Sequence, residues 1–216
     1  MASHHIVVQG EHLSQIAEKY GFRDYRTIWD HGQNAALKAK RKNPNVLHPG
    51  DDLFVPDREP KEESRPTDQR HRFRVKVSNL KLRIVVEDQY ERPIANAAYE
   101  LTIDGQIFKD TTDGKGKIEQ EIPAAAGQGR LVITTPETAL DKLVVAIRIG
   151  HLDPVEEVTG QQARLTNLGY FPAPADGKDS PLFRLAVEEF QCDHALAVDG
   201  VCGPLTQAKL KSVHGC

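Results

Sequence analysis

The chain has 216 residues, 28 basic and 31 acidic side chains, and a formal net charge of −3. That length holds two or three small domains, and the charge balance argues against nucleic acid as the main partner, because a phosphate-binding groove needs a basic excess. No apolar run approaches the roughly 18 residues of a membrane span, and Met1-Ala2-Ser3-His4-His5-Ile6-Val7-Val8 lacks the basic and long apolar regions of a secretory signal, so none is expected.

Residues 5–8 read as a short strand that Gly10 ends. Leu13, Ile16, Ala17 and Tyr20 then recur at i, i+3, i+4 and i+7, one face of a helix, with Gly21 placed as its C-terminal cap. A second helix is expected over residues 25–38, with Ile28, Trp29 and Leu37 available for a core. Asn43-Pro44-Asn45 and His48-Pro49-Gly50 are turn chemistry, and Leu53-Phe54-Val55-Pro56 reads as a closing strand. The expected order is β-α-α-β over residues 4–57. Residues 58–72 carry no apolar side chain except prolines. They cannot bury enough surface to offset their ordering entropy and read as a charged linker, reaching about 50 Å when stretched.

After the linker the period becomes two. Phe73, Val75 and Val77 alternate with charge, and Leu80, Leu82 and Ile84 continue after a parity switch at Ser78-Asn79, which suggests a bulge. Tyr99, Leu101 and Ile103 alternate up to Asp104-Gly105, a hairpin pair. Asp113-Gly114 marks another turn, and residues 131–133 and 143–149 supply further strands. About seven short strands over residues 73–150 argue for an antiparallel β-sandwich.

Residues 151–216 return to helical spacing. Ala163, Leu165 and Leu168 lead to Gly169, Leu182, Leu185, Ala186 and Phe190 line a second helix, and Leu205, Ala208 and Leu210 line a third. The segment Asp176-Gly177-Lys178-Asp179-Ser180-Pro181-Leu182 recurs as Asp199-Gly200-Val201-Cys202-Gly203-Pro204-Leu205. Each copy is a loop that starts a helix: Asp-Gly turns the chain, Ser180 or Gly203 stands at the N-cap, and Pro181 or Pro204 takes the first helical position, where a missing N–H costs nothing. The fold class is therefore multidomain α+β: a small βααβ domain, an antiparallel β-sandwich and a three-helix module.

Three resemblances sharpen this. Val8-Gln9-Gly10-Glu11-His12-Leu13-Ser14-Gln15-Ile16-Ala17, Tyr20-Gly21, Asn34 and Pro49-Gly50-Asp51-Asp52-Leu53-Phe54-Val55-Pro56 resemble a LysM domain, about a quarter of the chain. That resemblance implies a βααβ fold binding N-acetylglucosamine-containing glycans such as peptidoglycan or chitin. It implies a ligand site between the loop after the first strand, Gly10, Glu11, His12 and Leu13, and the loop before the last, Asn45, Val46, Leu47 and His48. Two features depart from the family pattern: His12 replaces a small hydroxyl or acid at the helix cap, and residues 35–45 are longer and carry Lys38, Lys40, Arg41 and Lys42.

Gln162, Leu165, Leu168-Gly169-Tyr170-Phe171, Asp176-Gly177, Ala186-Val187, Phe190-Gln191, Leu196, Val198-Asp199-Gly200, Gly203-Pro204, Thr206 and Leu210 are similar to the three-helix peptidoglycan-binding domain found beside cell-wall hydrolases. Pro93-Ile94, Ala97, Thr112-Asp113-Gly114-Lys115-Gly116 and Ile122-Pro123 resemble a transthyretin-like or carboxypeptidase-regulatory-like sandwich. The order of the three parts is similar to accessory proteins of contractile injection machines, including type VI secretion and phage tails.

The chemistry stays open at several points. Ser212-Val213-His214-Gly215-Cys216 is close to the cysteine-nucleophile motif of L,D-transpeptidases, but Val213 breaks the spacing and no β-rich catalytic domain precedes it. Cys192, Cys202 and Cys216 are an odd number, so one disulfide plus a free thiol, three free thiols, or a zinc site with His194 and His214 are all open. His4, His5 and His12 are a surface metal site or solvated side chains, Trp29 a sugar platform or core, Tyr170 and Phe171 a glycan contact or core. The run from Lys38 to Lys42 is either a grip on anionic wall polymer or a solvated face.

No paired carboxylates sit in a recognisable hydrolase context, and nothing resembles a metallopeptidase motif or a lysozyme core, so no catalysis, cofactor or metal is expected. The leading expectation is a non-catalytic peptidoglycan-binding protein that targets or anchors a secretion-system component or effector at the wall. It would be made in a bacterial cytoplasm and reach the periplasm by non-classical export. The competing expectation is a structural adaptor of a contractile injection system that binds a spike or effector protein rather than glycan.

Overall fold

The computed structural model describes residues 2–59, 62, 64–72, 80–88, 90, 92–135, 142–171 and 173–216. The expected strand at Phe73, Val75 and Val77 and the bulge at Ser78-Asn79 lie outside the described residues. The chain forms two compact units, each built from three segments: residues 1–5, 13–34 and 54–149 in the first, and residues 6–12, 35–53 and 150–216 in the second.

The N-terminal segment contributes to both. Strands β1 (Ser3–Ile6) and β2 (Asp52–Val55) form a two-stranded sheet. Helix α1 (Leu13–Lys19) buries Leu13, Ile16 and Ala17, the i, i+3, i+4 face. It ends where Gly21 turns left-handed at φ +76° and Phe22 N–H reaches back to the Ala17 carbonyl at 2.8 Å. The single helix expected over residues 25–38 is instead three pieces: α2 (Arg26–Trp29), a 3-10 turn at Gly32–Asn34, and α3 (Ala35–Arg41).

Asn34 is the cause. Its buried amide donates to the Ile28 carbonyl at 2.8 Å, the acceptor that a continuing α-helix would give to Gly32 N–H. It also donates to the Phe54 carbonyl and accepts from Phe54 N–H, both at 2.8 Å. Trp29 is 5% exposed, a core residue rather than an open platform. Among the described residues of 58–72 there is no helix or strand.

The antiparallel sandwich stands in the first unit. Strands β3 (Leu80–Val85) and β6 (Lys117–Ile122) pair as one sheet. Strands β4 (Ala98–Ile103), β5 (Gln106–Thr111), β7 (Gln128–Thr134) and β8 (Lys142–Arg148) form the other, in the order β5-β4-β7-β8. All pairings are antiparallel. Leu101, Ile103, Ile118, Leu131 and Ile133 are fully buried in one core, with Leu80, Leu82 and Ile84 packed against it, so the period-two reading holds on both sheets.

Asp104 and Gly105 both take positive φ, +44° and +88°, the conformation a two-residue hairpin with the sheet's twist requires. Asp104 then accepts from Gly127 N–H at 2.9 Å. Thr112 ties the edge inward: its hydroxyl donates to the Ile94 carbonyl at 2.6 Å and accepts from Ala97 N–H at 2.9 Å.

The three-helix module stands in the second unit. Helices α4 (Val158–Asn167), α5 (Pro181–Asp193) and α6 (Pro204–His214) enclose Val155, Leu165, Phe171, Phe183, Val187, Phe190 and Leu210. Ser180 caps α5 by accepting from Phe183 N–H at 3.2 Å, Pro181 and Pro204 open their helices, and Gly215 closes α6 at φ +86°.

Candidate functional site

The doubled turn is held by a doubled clasp. Gln162 on α4 is buried. Its amide nitrogen donates to the Asp176 carboxylate at 3.1 Å and to the Lys178 carbonyl at 3.0 Å, and its amide oxygen accepts from Gly177 N–H at 2.8 Å. Gln191 on α5 repeats this on the second copy. Its amide nitrogen shares two N–H groups among the Asp199 carboxylate at 2.8 Å, the Val201 carbonyl at 3.1 Å and the Thr206 hydroxyl at 3.0 Å, and its oxygen accepts from Asp199 and Gly200 N–H at 3.0 and 3.1 Å. Main-chain N–H groups, Lys178 on Asp176 and Val201 on Asp199, together with the two amides, hold both carboxyls below the ordinary range. The Gln162 and Gln191 amides are spent on the two turns, so the repeat serves to shape loops.

Tyr170 packs edge-on against Phe190 at 5.4 Å between ring centroids, and Phe171 is in the core. The three cysteines are free thiols. Burial pushes the Cys202 thiol up to about 11, which makes it a poor nucleophile and a poor metal ligand. Among the described residues no group of three or more His, Cys, Asp or Glu side chains is arranged to hold a metal. His5 is buried with a ring nitrogen 3.2 Å from the Tyr20 hydroxyl, and His12 is buried too.

The eight loop residues implied by the LysM resemblance divide by burial. His12, Leu13, Val46 and Leu47 are buried, so their side chains serve the packing. Gly10 has φ +90°, and a Cβ there would lie 2.7 Å from the His151 ring. Gly150 is pressed as closely: its Cβ would come within 2.5 Å of the Gly10 carbonyl and 3.0 Å of the His12 ring. The loop after β1 is thus packed against the start of the segment that leads into α4. Gln9 extends that contact, its amide 3.4 Å from the Asp153 carboxylate. Glu11 accepts from Val8 N–H at 3.0 Å. Asn45 is exposed, its N–H donated to the Asn43 side chain at 2.9 Å, and His48 is half-buried with its N–H on Asp51 at 2.9 Å.

Asp51 organises the second loop. It pairs with Arg41 through two hydrogen bonds, 2.7 Å from Nε and 2.8 Å from Nη2, and both side chains are almost wholly buried. Burial alone would raise the Asp51 carboxyl, but the Arg41 guanidinium and the His48 N–H outweigh it and hold the group below the ordinary carboxylate range. The basic run is therefore not one solvated face: Arg41 is spent internally, while Lys42, at φ +59°, stays exposed.

Within the second unit a cavity of about 600 Å³ is walled by Arg41, Lys42, Asn43 and Val46 from this loop. Pro154, Val155, Glu156 and Arg164 wall it from the start of the module, and Ala208, Lys211, Ser212, Gly215 and Cys216 from its end. Arg164 is 1% exposed. It donates from Nη1 to the Asp153 and Gly160 carbonyls, both at 2.8 Å, and from Nε to the Cys216 main-chain oxygen at 2.9 Å. Arg164, Glu156 and Lys211 belong to no motif, and Asp51 enters only through the LysM resemblance. Arg164 lies between Ala163 and Leu165 on a face that otherwise reads as core, and that placement was the one available signal.

No curated protein and no solved structure gives a match to the chain. Residues 155–210 match the family model described as "Putative peptidoglycan binding domain", which is the module of α4, α5 and α6.

Proposed function

We propose that this chain is a non-catalytic peptidoglycan-binding protein. The observation that carries the reading is the match of residues 155–210 to a peptidoglycan-binding family, in a module whose Gln162 and Gln191 are spent on its own turns. In this reading the N-terminal segment, through its LysM resemblance, adds a contact to N-acetylglucosamine-containing glycan from Gly10, Glu11, Asn45 and His48. The contact would be made largely by main-chain groups and by the exposed or half-buried members of the two loops. The order of the three parts supports a place at the bacterial wall, in the periplasm, where the chain anchors or targets a secretion-system component or effector.

Sedimentation of the full chain with purified sacculi tests the reading. Co-sedimentation that is abolished when the wall is digested beforehand is expected. A chain that stays in the supernatant over intact sacculi overturns it.

A further inference from the structure

We infer that the cavity between the 41–46 loop and the three-helix module is a binding site for a short peptide bearing a carboxylate and an amine. This rests on the peptidoglycan reading, under which the ligand is the stem peptide of the wall.

The volume, about 600 Å³, falls within the range of small-ligand sites. Its walls are mixed. Val46, Val155 and Ala208 supply apolar surface, and the charged side chains are four cations against one acid, Glu156. The cations are not equivalent. Arg41 is neutralised by Asp51, and Arg164 is bonded to main-chain oxygens. Lys42 and Lys211 are exposed, both line the cavity, and neither has an ion-pair partner among the described residues. Two unpaired ammonium groups over a low-dielectric floor focus a positive potential and favour an incoming carboxylate.

No aromatic side chain lines the cavity, so it offers no platform for the face of a sugar ring. A glycan strand without peptide is also a poor match to two ammonium groups. Glu156 faces the same space and is suited to an amine on the ligand, which selects an amphoteric peptide over phosphate. The site exists only because the two ends of the chain meet. Gln9 and Asp153 touch, Gly10 packs on His151, and the Arg41–Asp51 pair fixes the loop that presents Lys42. The ends of the chain therefore share one site, whatever other surfaces each carries.

The test is an NMR titration of the isotope-labelled full chain with a synthetic stem tripeptide ending in a diamino acid, with its C-terminal amide, with peptide-free glycan strands and with inorganic phosphate. The tripeptide is expected to shift the amides of Lys42, Asn43, Val155, Ala208 and Lys211. The amide form is expected to bind more weakly. The double variant K42E/K211E is expected to lose about tenfold in affinity, while K115E, a charge reversal on the sandwich, loses none.

Shifts confined to other residues, equal shifts with peptide-free glycan or phosphate, or an unchanged affinity in the double variant overturn the inference. Sacculus sedimentation of the unaltered chain separates the two ideas. Sedimentation with an unresponsive cavity removes this inference and leaves the wall-binding reading. Failure to sediment removes the wall-binding reading itself.

Discussion

Gln191 on α5 donates to the Asp199 carboxylate at 2.8 Å and takes the Asp199 main-chain N–H on its own amide oxygen at 3.0 Å, closing a ring between a helix and the turn that follows it. Gln162 forms the equivalent set with Asp176 and Gly177. One side chain thus satisfies, inside the module, polar groups that a turn at the surface would give to water.

Replacing Gln191 by Ala leaves the N–H groups of Asp199 and Gly200 without acceptors and strips a partner from Thr206. The expected loss is about 3 kcal/mol, from several buried groups each costing about 1–3 kcal/mol when unpaired, partly relieved by entering water. Urea unfolding measures the total, and hydrogen exchange at Asp199 and Gly200 locates it. Native protection at those two amides in the variant would show that the clasp does not hold the turn. Gln191→Glu keeps the acceptor but sets a carboxylate against Asp199, so it is expected to be destabilising at neutral pH and to recover on acidification.

Asp51→Asn removes the charge that pairs with buried Arg41 and weakens the hold on His48 N–H. Breaking such a pair from one side leaves an uncompensated cation, and the expected cost is about 3 kcal/mol. Because the folded Asp51 carboxyl titrates below its ordinary value, its contribution is present above the unfolded pKa and fades as pH falls through the folded one. The wild-type chain is expected to lose stability in that acidic window, and the variant to show a shallower loss. Parallel thermal melts across that range compare the two slopes.

His214 gives a pH dependence in a different window. Asn167 donates to its Nε2 at 3.0 Å, its Nδ1 is buried without a partner, and burial, with Arg164 nearby, lowers its pKa to about 4. Between about 4 and the unfolded value near 6.5 the unfolded chain binds the extra proton. Stability should therefore rise with pH across that interval, by no more than about 2 kcal/mol after allowing for the ring's partial exposure. His214→Gln should flatten the rise. A wild-type profile level between pH 4 and 6.5, or one unaltered in the variant, would sink this account.

The three thiols should separate kinetically. Cys192 and Cys216 are exposed, whereas Cys202 is half-buried with its pKa raised to about 11. A disulfide reagent at pH 8 is expected to titrate two thiols rapidly and the third only on unfolding. Mass mapping of the first product identifies which two, and early labelling of Cys202 would contradict the burial argument.

Local patterns carried most of the architecture. Leu13, Ile16 and Ala17 announced α1 by their spacing, Asp104-Gly105 announced the β4–β5 hairpin, and the two Asp-Gly repeats announced the starts of α5 and α6. The break in the helix expected over residues 25–38 is not legible locally, because Asn34 looks like any polar residue in a periodic run. Its interruption depends on the Phe54 backbone, 20 residues away, and no local preference encodes that distance. Seven of the eight candidate residues lie in loops and Leu13 opens α1, but the burial of His12 was not legible, because a polar side chain is covered there by what folds over it.

By itself the sequence determined the order of a mixed helix-and-strand segment, an antiparallel sandwich and a three-helix module, because period, turn chemistry and capping act within a few residues. It also determined the likeness of residues 155–210 to a peptidoglycan-binding family. Only the tertiary structure decided that Arg41 is consumed by Asp51 while Lys42 is not, that Arg164 is buried, and that Lys42 and Lys211 face one cavity. Those outcomes depend on which distant backbone and charge comes to rest beside each side chain. Desolvation and pairing are properties of that neighbourhood, not of the residue type.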